Sequence, residues 1–266
     1  MPRTLKLTIS YDGTNYAGWQ RQINGIGIQQ VLEDEIAAIV GAHHPLNAAG
    51  RTDAGVHAAA QVASITIEHP IPADELLRAL NARLKAGDIR IRSIDEMPDR
   101  WDARIFAKGK TYRYAIWNGA QPSPFFRHVV WHVPQALDLD RMQRAAGALL
   151  GEHDFAAFKG SGSDVLTTVR RMLDAGIVEM NIHTDQPIAL APLGPGEDLE
   201  ARFFRFEISG TGFLRHMVRT IVGTLVDIGR GNMAVEEMAA IIESKNRARA
   251  GPTAPPLGLM LWKVSY

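Results

Sequence analysis

The chain has 266 residues, 29 basic and 29 acidic side chains, 46% hydrophobic residues and no cysteine. A chain of this length and apolar content can bury the core of one large or two modest domains. The lack of cysteine excludes disulfides, thiolate zinc sites and a cysteine nucleophile, and no apolar run is long enough for a membrane-spanning helix. We therefore expect a globular protein of the cytoplasm that does not associate with membranes.

Hydrophobic periodicity predicts alternating strands and helices in the first half of the chain. Leu5, Leu7 and Ile9 alternate with polar residues, as in a half-buried strand. Apolar residues then recur at helical spacing through residues 28–40, with the acidic residues 33–35 toward the other, solvent-facing side. A strand, a helix and a strand are predicted at residues 61–68, 72–84 and 89–94. The predicted order is β-α-β-α-β.

The second half of the chain predicts a similar order of elements. They are predicted at residues 107–117, 139–150, 173–182, 203–209, 213–228, 235–244 and 259–264. The segment 185–200 is rich in Pro and Gly and is predicted to be an inserted loop. Helices and antiparallel strands in two similar halves indicate an α+β fold, with an N-terminal domain at 1–104 and a C-terminal domain at 105–266.

Residues 49–58, with the sequence AGRTDAGVHA, are the segment best suited to chemistry. Gly50 and Gly55 flank Asp53, and the freedom of glycine to take positive φ favours a tight turn with the carboxylate at its apex. The neighbouring cation of Arg51 favours the ionised carboxylate, which could act as a nucleophile or base. On the local pattern alone, an Asp in a glycine-flanked turn is more often a turn-former that bonds its own backbone.

The sequence of residues 50–58, GRTDAGVHA, resembles the signature of the tRNA pseudouridine synthase A (TruA) family. This resemblance implies an enzyme that isomerises uridine to pseudouridine at positions 38, 39 and 40 of tRNA anticodon stem-loops, without a cofactor or a metal. Asp53 matches the family's catalytic Asp. In the same signature Arg51, Thr52 and His57 are candidate RNA contacts, and a structural role is an equal alternative for His57.

Residues 108–114, with the sequence KGKTYRY, resemble the family's second motif, in which a tyrosine packs on the target base. In a strand, Tyr112 and Tyr114 point to the same face. An aromatic ring stabilises a stacked base by about 1–3 kcal/mol. Tyr112 is the candidate for this ring, and the alternative is a tyrosine that fills the core.

A basic strip runs through residues 100–113, although the formal net charge of the chain is zero. Phosphate binding needs clustered cations rather than a positive total. Lys108 and Lys110 belong to this strip and are predicted to grip the RNA backbone. A solvated, lysine-protected edge strand is the alternative explanation.

Residues 212–219, with the sequence GFLRHMVR, resemble the family's third motif, whose basic residue pairs with the catalytic Asp. The resemblance assigns this role to Arg219. In a helix over residues 213–228, Arg215 and Arg219 lie on one side and both reach a shared cleft or phosphate; a solvated arginine pair is the alternative. Phe213 is a candidate wall of the base pocket, with a core role equally open.

The resemblance extends from Leu5 to Tyr266 and includes residues 250–259, which are similar to the family's proline-rich C-terminal signature. It implies two similar domains of mostly antiparallel sheets, with helices packed on one face and an active-site cleft between them, acting on tRNA as a homodimer. Whether Asp53 attacks uracil C6 or ribose C1′ stays open. The alternatives are a non-catalytic RNA-binding module and an Asp-nucleophile hydrolase of small glycosides, for which no motif supplies a second carboxylate.

Overall fold

A computed structural model of the protein describes residues 1–119, 124–162, 165–180 and 201–266. The predicted insertion at 185–200 lies outside the described residues. The strands in the described ranges are β1 (Arg3–Tyr11), β2 (Asn47–Ala48), β3 (His57–Ile67), β4 (Ile89–Met97), β5 (Gly109–Asn118), β6 (Trp131–Val133), β7 (Gly151–Asp154), β8 (Val169–Met180), β9 (Arg202–Gly210) and β10 (Leu259–Ser265). The α-helices there are α1 (Ile28–Val40), α2 (Ala73–Arg83), α3 (Leu139–Gly147), α4 (Met217–Gly229) and α5 (Glu237–Ser244).

The chain divides into two compact units. The first comprises Met1–Lys110 and Met260–Tyr266, and the second comprises Thr111–Leu259. These units differ from the predicted domains 1–104 and 105–266 in two respects. The boundary falls a few residues later, and almost all of β10 joins the first unit, because β10 pairs in parallel with β3.

In the first unit β1 lies between β3 and β4. It pairs antiparallel with β3 and with β4, while β2 adds to β3 in the antiparallel direction. The predicted alternation in β1 is confirmed, since Leu5, Leu7 and Ile9 are fully buried and the residues between them are partly exposed. At the end of β1, Tyr11 pairs with Ala58 near the start of β3. This pairing brings the segment after β1 beside the segment that leads into β3.

Helix α1 has the predicted bounds, which confirms the periodicity of residues 28–40. It ends at Gly41, whose φ of 79° is left-handed, as is common for the glycine that follows a helix. The predicted exposure of Glu33 is wrong, because its side chain is only 2% exposed. Its carboxylate accepts hydrogen bonds from the Leu46 N–H and from Nε of Arg21, both at 2.9 Å. These donors compensate the burial of the charge.

In the second unit β8 pairs antiparallel with β7 and with β9, and β9 lies beside β5. The short strand β6 adds to β5 in parallel. Among the pairs described above, antiparallel ones outnumber parallel ones in each unit, and helices accompany both sets of strands. The described residues therefore confirm the predicted α+β fold.

Helix α4 begins later than the sequence predicts. The predicted start at residue 213 is wrong, because His216 has a left-handed φ of 61° and a right-handed helix cannot run through it. The helix is also buried on nearly all sides, and the loop after α5 packs closely on one of them. A Cβ added to Gly223 would lie only 1.7 Å from the Pro252 carbonyl oxygen. Within the described ranges no helix has both the length and the apolar character needed to cross a membrane.

Candidate active site

The Asp53 segment forms a tight turn between β2 and β3. The Val56 N–H donates to the Asp53 carbonyl oxygen at 3.2 Å, and Gly55 has a φ of 75°. These features define a β-turn whose third residue is left-handed, a conformation that glycine adopts without strain. Asp53 is partly exposed and is the first residue of the turn. Ala54 and Gly55 form the apex, so the carboxylate lies one residue before its predicted position.

The fold holds Thr52, directly before Asp53, through both its side chain and its backbone. The Thr52 hydroxyl lies 2.7 Å from the Tyr11 hydroxyl, and its carbonyl oxygen accepts from the Trp19 N–H at 3.0 Å. Burial raises the pKa of Tyr11 to about 12, so this phenol stays protonated. Thr52 is 7% exposed. Its buried and bonded hydroxyl supports the turn, and a substrate contact of Thr52 stays a prediction.

The backbone of the Asp53 segment passes so close to residue 18 that only glycine fits there. Gly18 has a φ of 97°, and a Cβ there would lie 2.6 Å from the Thr52 carbonyl oxygen. Any side chain at this position would push the segment 17–19 away from the Asp53 turn. The glycine therefore permits the hydrogen bond between Trp19 and Thr52.

His57 is the first residue of β3 and is 2% exposed. Its Nδ1 lies 3.1 Å from the Gly13 backbone nitrogen and 3.1 Å from Oδ1 of Asp12. A ring this deeply buried presents almost no surface to RNA. The structure therefore favours the structural alternative for His57 over the predicted RNA contact.

Basic residues that the sequence predicts to bind RNA lie within the Asp53 segment or pack on it. A Cβ added to Gly50 would meet Cε of Lys110 at 3.0 Å, so the Lys110 side chain crosses the backbone of this segment. Arg51 is exposed. Lys108 is exposed as well, and its backbone N–H donates to the Ser265 carbonyl oxygen at 2.8 Å. The first unit thus combines the Asp53 carboxylate with three basic residues of the predicted RNA-binding set.

The second unit brings together the two aromatic candidates, Tyr112 and Phe213. Their ring centroids are 4.9 Å apart and their planes are inclined at 77°, an edge-to-face arrangement that stabilises aromatic pairs. Tyr112 is 7% exposed, while Phe213 is partly exposed. The strand and the segment before α4 therefore contribute to one aromatic pair.

Arg219 lies in the first turns of α4 and bonds to the proline-rich C-terminal loop. Its Nε donates to the Ala254 carbonyl oxygen at 2.7 Å. The next residue of that loop, Pro255, accepts a hydrogen bond from the Tyr114 hydroxyl at 2.7 Å. Burial raises the pKa of Tyr114 well above its ordinary value, and the positive charge of Arg219 opposes part of that rise. The partly buried Arg219 and the buried Tyr114 therefore bond to neighbouring carbonyl oxygens of the same loop.

Arg215 does not share a helix face with Arg219, so that prediction is wrong. Arg215 precedes the left-handed residue and lies outside α4. It is exposed, and its Nη1 donates to the carbonyl oxygens of Ser161 at 3.1 Å and Gly162 at 3.3 Å. The two guanidinium groups therefore have different backbone partners. Among the described residues no cluster of three or more His, Asp or Glu side chains could hold a metal ion.

Three aromatic residues that hold the Asp53 turn lie outside every functional motif of the sequence. Tyr11 and Trp19 bond to Thr52, and the Tyr16 carbonyl oxygen accepts from the Gly55 N–H at 3.3 Å. The available signal is compositional, since residues 11–19, which lie between the alternating segment 5–9 and the helical pattern 28–40, contain two tyrosines and a tryptophan. Large aromatic side chains in a loop indicate that the loop packs on the protein.

A sequence model of the family described as tRNA pseudouridine synthase matches residues 7–104 and 145–266. The chain therefore belongs to the tRNA pseudouridine synthase family and is an isomerase. It is similar over its length to proteins named tRNA pseudouridine synthase A. The relatives from Acetivibrio thermocellus and Geobacter sulfurreducens are each 44% identical to it, and the relative from Pelobacter propionicus is 42% identical. Each match covers 99% of this chain and 100% of the relative.

Proposed function

We propose that this chain isomerises uridine to pseudouridine at positions 38, 39 and 40 of the tRNA anticodon stem-loop, with Asp53 as the nucleophile. The observation that carries the proposal is a carboxylate at the start of a tight, well-supported turn inside the family's signature. The names of the full-length relatives support tRNA as the substrate. Catalysis by a carboxylate requires no cofactor.

The reaction moves one bond of the nucleotide and adds no atoms. The bond between uracil N1 and ribose C1′ breaks, the uracil turns, and C5 joins C1′. The hydrogen on C5 leaves as a proton while N1 gains one. A nucleophile holds the base or the sugar while the two are separated. Asp53 fills this role by attack either at C6 of uracil or at C1′ of ribose.

The target base must leave its stack before it reaches a carboxylate. The ring of Tyr112, steadied by the edge-to-face contact with Phe213, supplies a flat apolar surface for the flipped uracil. The resemblance of residues 212–219 to the family's third motif assigns to Arg219 the cation that pairs with the catalytic carboxylate.

Exposed cations account for the grip on the RNA backbone. Arg51 and Lys108 of the first unit and Arg215 of the second are exposed, and Lys110 borders the Asp53 segment. Contacts of this kind position the RNA and make its affinity depend on salt. We assign Thr52 and His57 to the support of the turn, because the Thr52 hydroxyl and Nδ1 of His57 bond within the protein.

The test is the release of tritium from tRNA transcript labelled at C5 of uridine, in buffer with a chelator. The unchanged protein should release tritium, and Asp53→Asn should release none while it still binds the transcript. Asp99→Asn is the matched control, because Asp99 is an exposed carboxylate that lies 3.7 Å from an arginine, Arg100. It should keep full activity. If the unchanged protein binds tRNA but releases no tritium, it is a binding module and the proposal fails.

The substrate position and the assembly have tests of their own. Transcripts with cytidine at 38, 39 or 40 should lose the tritium release that belongs to each replaced uridine. Cleavage of free uridine without RNA would instead indicate a glycoside hydrolase. We expect a homodimer in the cytoplasm, and sedimentation equilibrium should give twice the mass of one chain.

A further inference from the structure

His57 begins β3 shortly after the Asp53 turn, and its ring is buried. Its Nδ1 faces two neighbours at 3.1 Å, the Gly13 backbone N–H and Oδ1 of Asp12. A single ring nitrogen either accepts a hydrogen bond or donates one. Only one of the two contacts is therefore a hydrogen bond in a given protonation state of the ring.

The contact with Gly13 is the one that the fold requires. Gly13 is buried, and a buried N–H without an acceptor costs the full desolvation of that group. Asp12 is exposed, and its Oδ1 already accepts from the Thr14 N–H at 2.9 Å and from the Thr14 hydroxyl. The Nδ1 of His57 therefore accepts from Gly13, which leaves the ring proton on Nε2.

From Gly13, a short series of hydrogen bonds returns to the Asp53 turn. The Gly13 carbonyl oxygen accepts from the Tyr16 N–H at 3.0 Å, and the Tyr16 carbonyl oxygen accepts from the Gly55 N–H at 3.3 Å. Gly13 also packs closely on the far end of the turn, because a Cβ there would lie 2.1 Å from the Val56 carbonyl oxygen. Residues 12–16 thus contact both the apex and the end of the turn that Asp53 begins.

Asp88, which directly precedes β4, fastens residues 12–16 from another side. The Asp12 N–H donates to the Asp88 carbonyl oxygen at 2.8 Å, and the Tyr16 hydroxyl donates to the Asp88 carboxylate at 2.8 Å. Residues 12–16 are therefore tied both to His57 and to the start of β4. A segment held at both ends can hold the turn in one position.

We infer that His57 is a positioning residue: its Nδ1 accepts from Gly13, holds residues 12–16 against Gly55, and so fixes the Asp53 carboxylate for attack on the nucleotide. The inference rests on the proposed function of Asp53. It differs from an RNA-binding role, because His57 acts through the protein backbone. It also differs from a general contribution to stability, because one atom of the ring carries the effect.

Two substitutions separate the Nδ1 acceptor from the rest of the ring. In His57→Asn the amide oxygen is three bonds from Cα, as Nδ1 is, whereas in His57→Gln it is four bonds away, as Nε2 is. We expect His57→Asn to retain kcat for tritium release within about threefold, and His57→Gln to lose on the order of 10- to 100-fold, as small misplacements of a reacting group do. KM for tRNA should change by less than about twofold in both variants, since uniform binding is not altered.

Equal losses of kcat in the two variants would overturn the inference, and so would a raised KM with unchanged kcat, which marks a direct RNA contact. Thermal unfolding of each variant verifies that it is folded. If the His57 variants do not fold, Tyr16→Phe decides, because it keeps the ring and removes the bond to Asp88. It should lower kcat by about 3- to 10-fold without a change in KM, and an unchanged kcat would overturn the inference.

The same assay separates this inference from the function on which it rests. If the unchanged protein releases no tritium, both fail together. If tritium release is present and is lost in Asp53→Asn, the proposed function stands. Equal kcat values for His57→Asn and His57→Gln then overturn the role of His57 alone.

Discussion

Arg219 and Ala254 are joined by hydrogen bonds in both directions. Nε of Arg219 donates to the Ala254 carbonyl oxygen at 2.7 Å, and the Ala254 N–H donates to the Arg219 carbonyl oxygen at 3.1 Å. Ala254 is 1% exposed, so its carbonyl group depends on protein donors. Arg219 therefore fastens the C-terminal loop to α4 in addition to the electrostatic role proposed for it.

Replacement of Arg219 should affect stability and catalysis together. We expect Arg219→Ala to lower the free energy of unfolding by about 1–3 kcal/mol, because a buried carbonyl loses its donor, and to lower kcat by on the order of 100-fold or more. Arg215→Ala is the control, because Arg215 bonds to carbonyl oxygens of an exposed loop. Its effect on unfolding should stay within about 0.5 kcal/mol. Urea unfolding and tritium release measure the two effects, and equal losses in both variants would contradict the assignment.

The pair of Tyr112 and Phe213 predicts which part of the tyrosine is needed. Tyr112→Phe keeps the ring and its edge-to-face contact, whereas Tyr112→Leu removes them. We expect Tyr112→Leu to weaken the free energy of tRNA binding by about 1–3 kcal/mol, which is the contribution of one stacked base. The processing of tRNA should be impaired as well. The phenylalanine variant should stay close to the unchanged protein. If both variants are equally impaired in single-turnover assays, the hydroxyl and not the ring is required.

The same pair should also be coupled in stability. A double-mutant cycle with Tyr112→Leu and Phe213→Leu should give a coupling energy of about 0.5–1.5 kcal/mol, the range found for aromatic pairs. Urea unfolding of the two single variants and the double variant provides the numbers. A coupling energy near zero would mean that the edge-to-face contact does not stabilise the protein.

Gly55 should matter for catalysis beyond its effect on stability. Gly55 and Gly41 have similar left-handed φ values, 75° and 79°, so alanine at either position is strained by about 1–2 kcal/mol. Gly41 is a matched control, because a Cβ there would meet nothing within 4 Å and the residue ends α1. Both variants should unfold at lower urea concentration. Only Gly55→Ala should also lose kcat, because its strain displaces Asp53, and full activity of that variant would argue against a fixed turn.

Acid should remove the stabilisation that Asp154 provides. The Thr168 hydroxyl, together with Lys245 and the Ala156 N–H, holds the pKa of Asp154 below its ordinary value. A carboxylate with a depressed folded pKa stabilises the protein above its unfolded pKa of about 4, and this stability is lost as the pH falls through the folded pKa. Asp154→Asn should therefore lower the free energy of unfolding at about pH 7, and the gap should close at lower pH.

Asp140→Asn is the control for this pH dependence. Asp140 is 82% exposed and lies 3.4 Å from Arg144 in the same helix, a geometry that contributes little. Urea unfolding between about pH 7 and pH 3 measures both variants against the unchanged protein. A gap for Asp154→Asn that stays constant over this range would mean that the pKa is not depressed.

Local periodicity explains why some elements are predictable and others are not. The bounds of α1 follow from apolar residues at helical spacing, and Gly41 marks its end. The start of α4 is not predictable in the same way, because residues 213–216 continue the apolar pattern although His216 is left-handed. One residue with a left-handed φ is enough to delay the start of a helix, and the hydrophobic periodicity of the sequence does not reveal such a residue.

The sequence by itself determined the class of fold, the family signature and the residue types suited to the chemistry, because strand alternation, helical spacing and a contiguous motif are all local properties. The tertiary structure decided which polar groups form hydrogen bonds that hold the turn. Tyr11 and Gly13, which bond to Thr52 and His57 respectively, lie far away from them along the chain. Such pairs depend on how β1 and β3 pack side by side, and packing over long sequence separations leaves no periodic signal in the sequence.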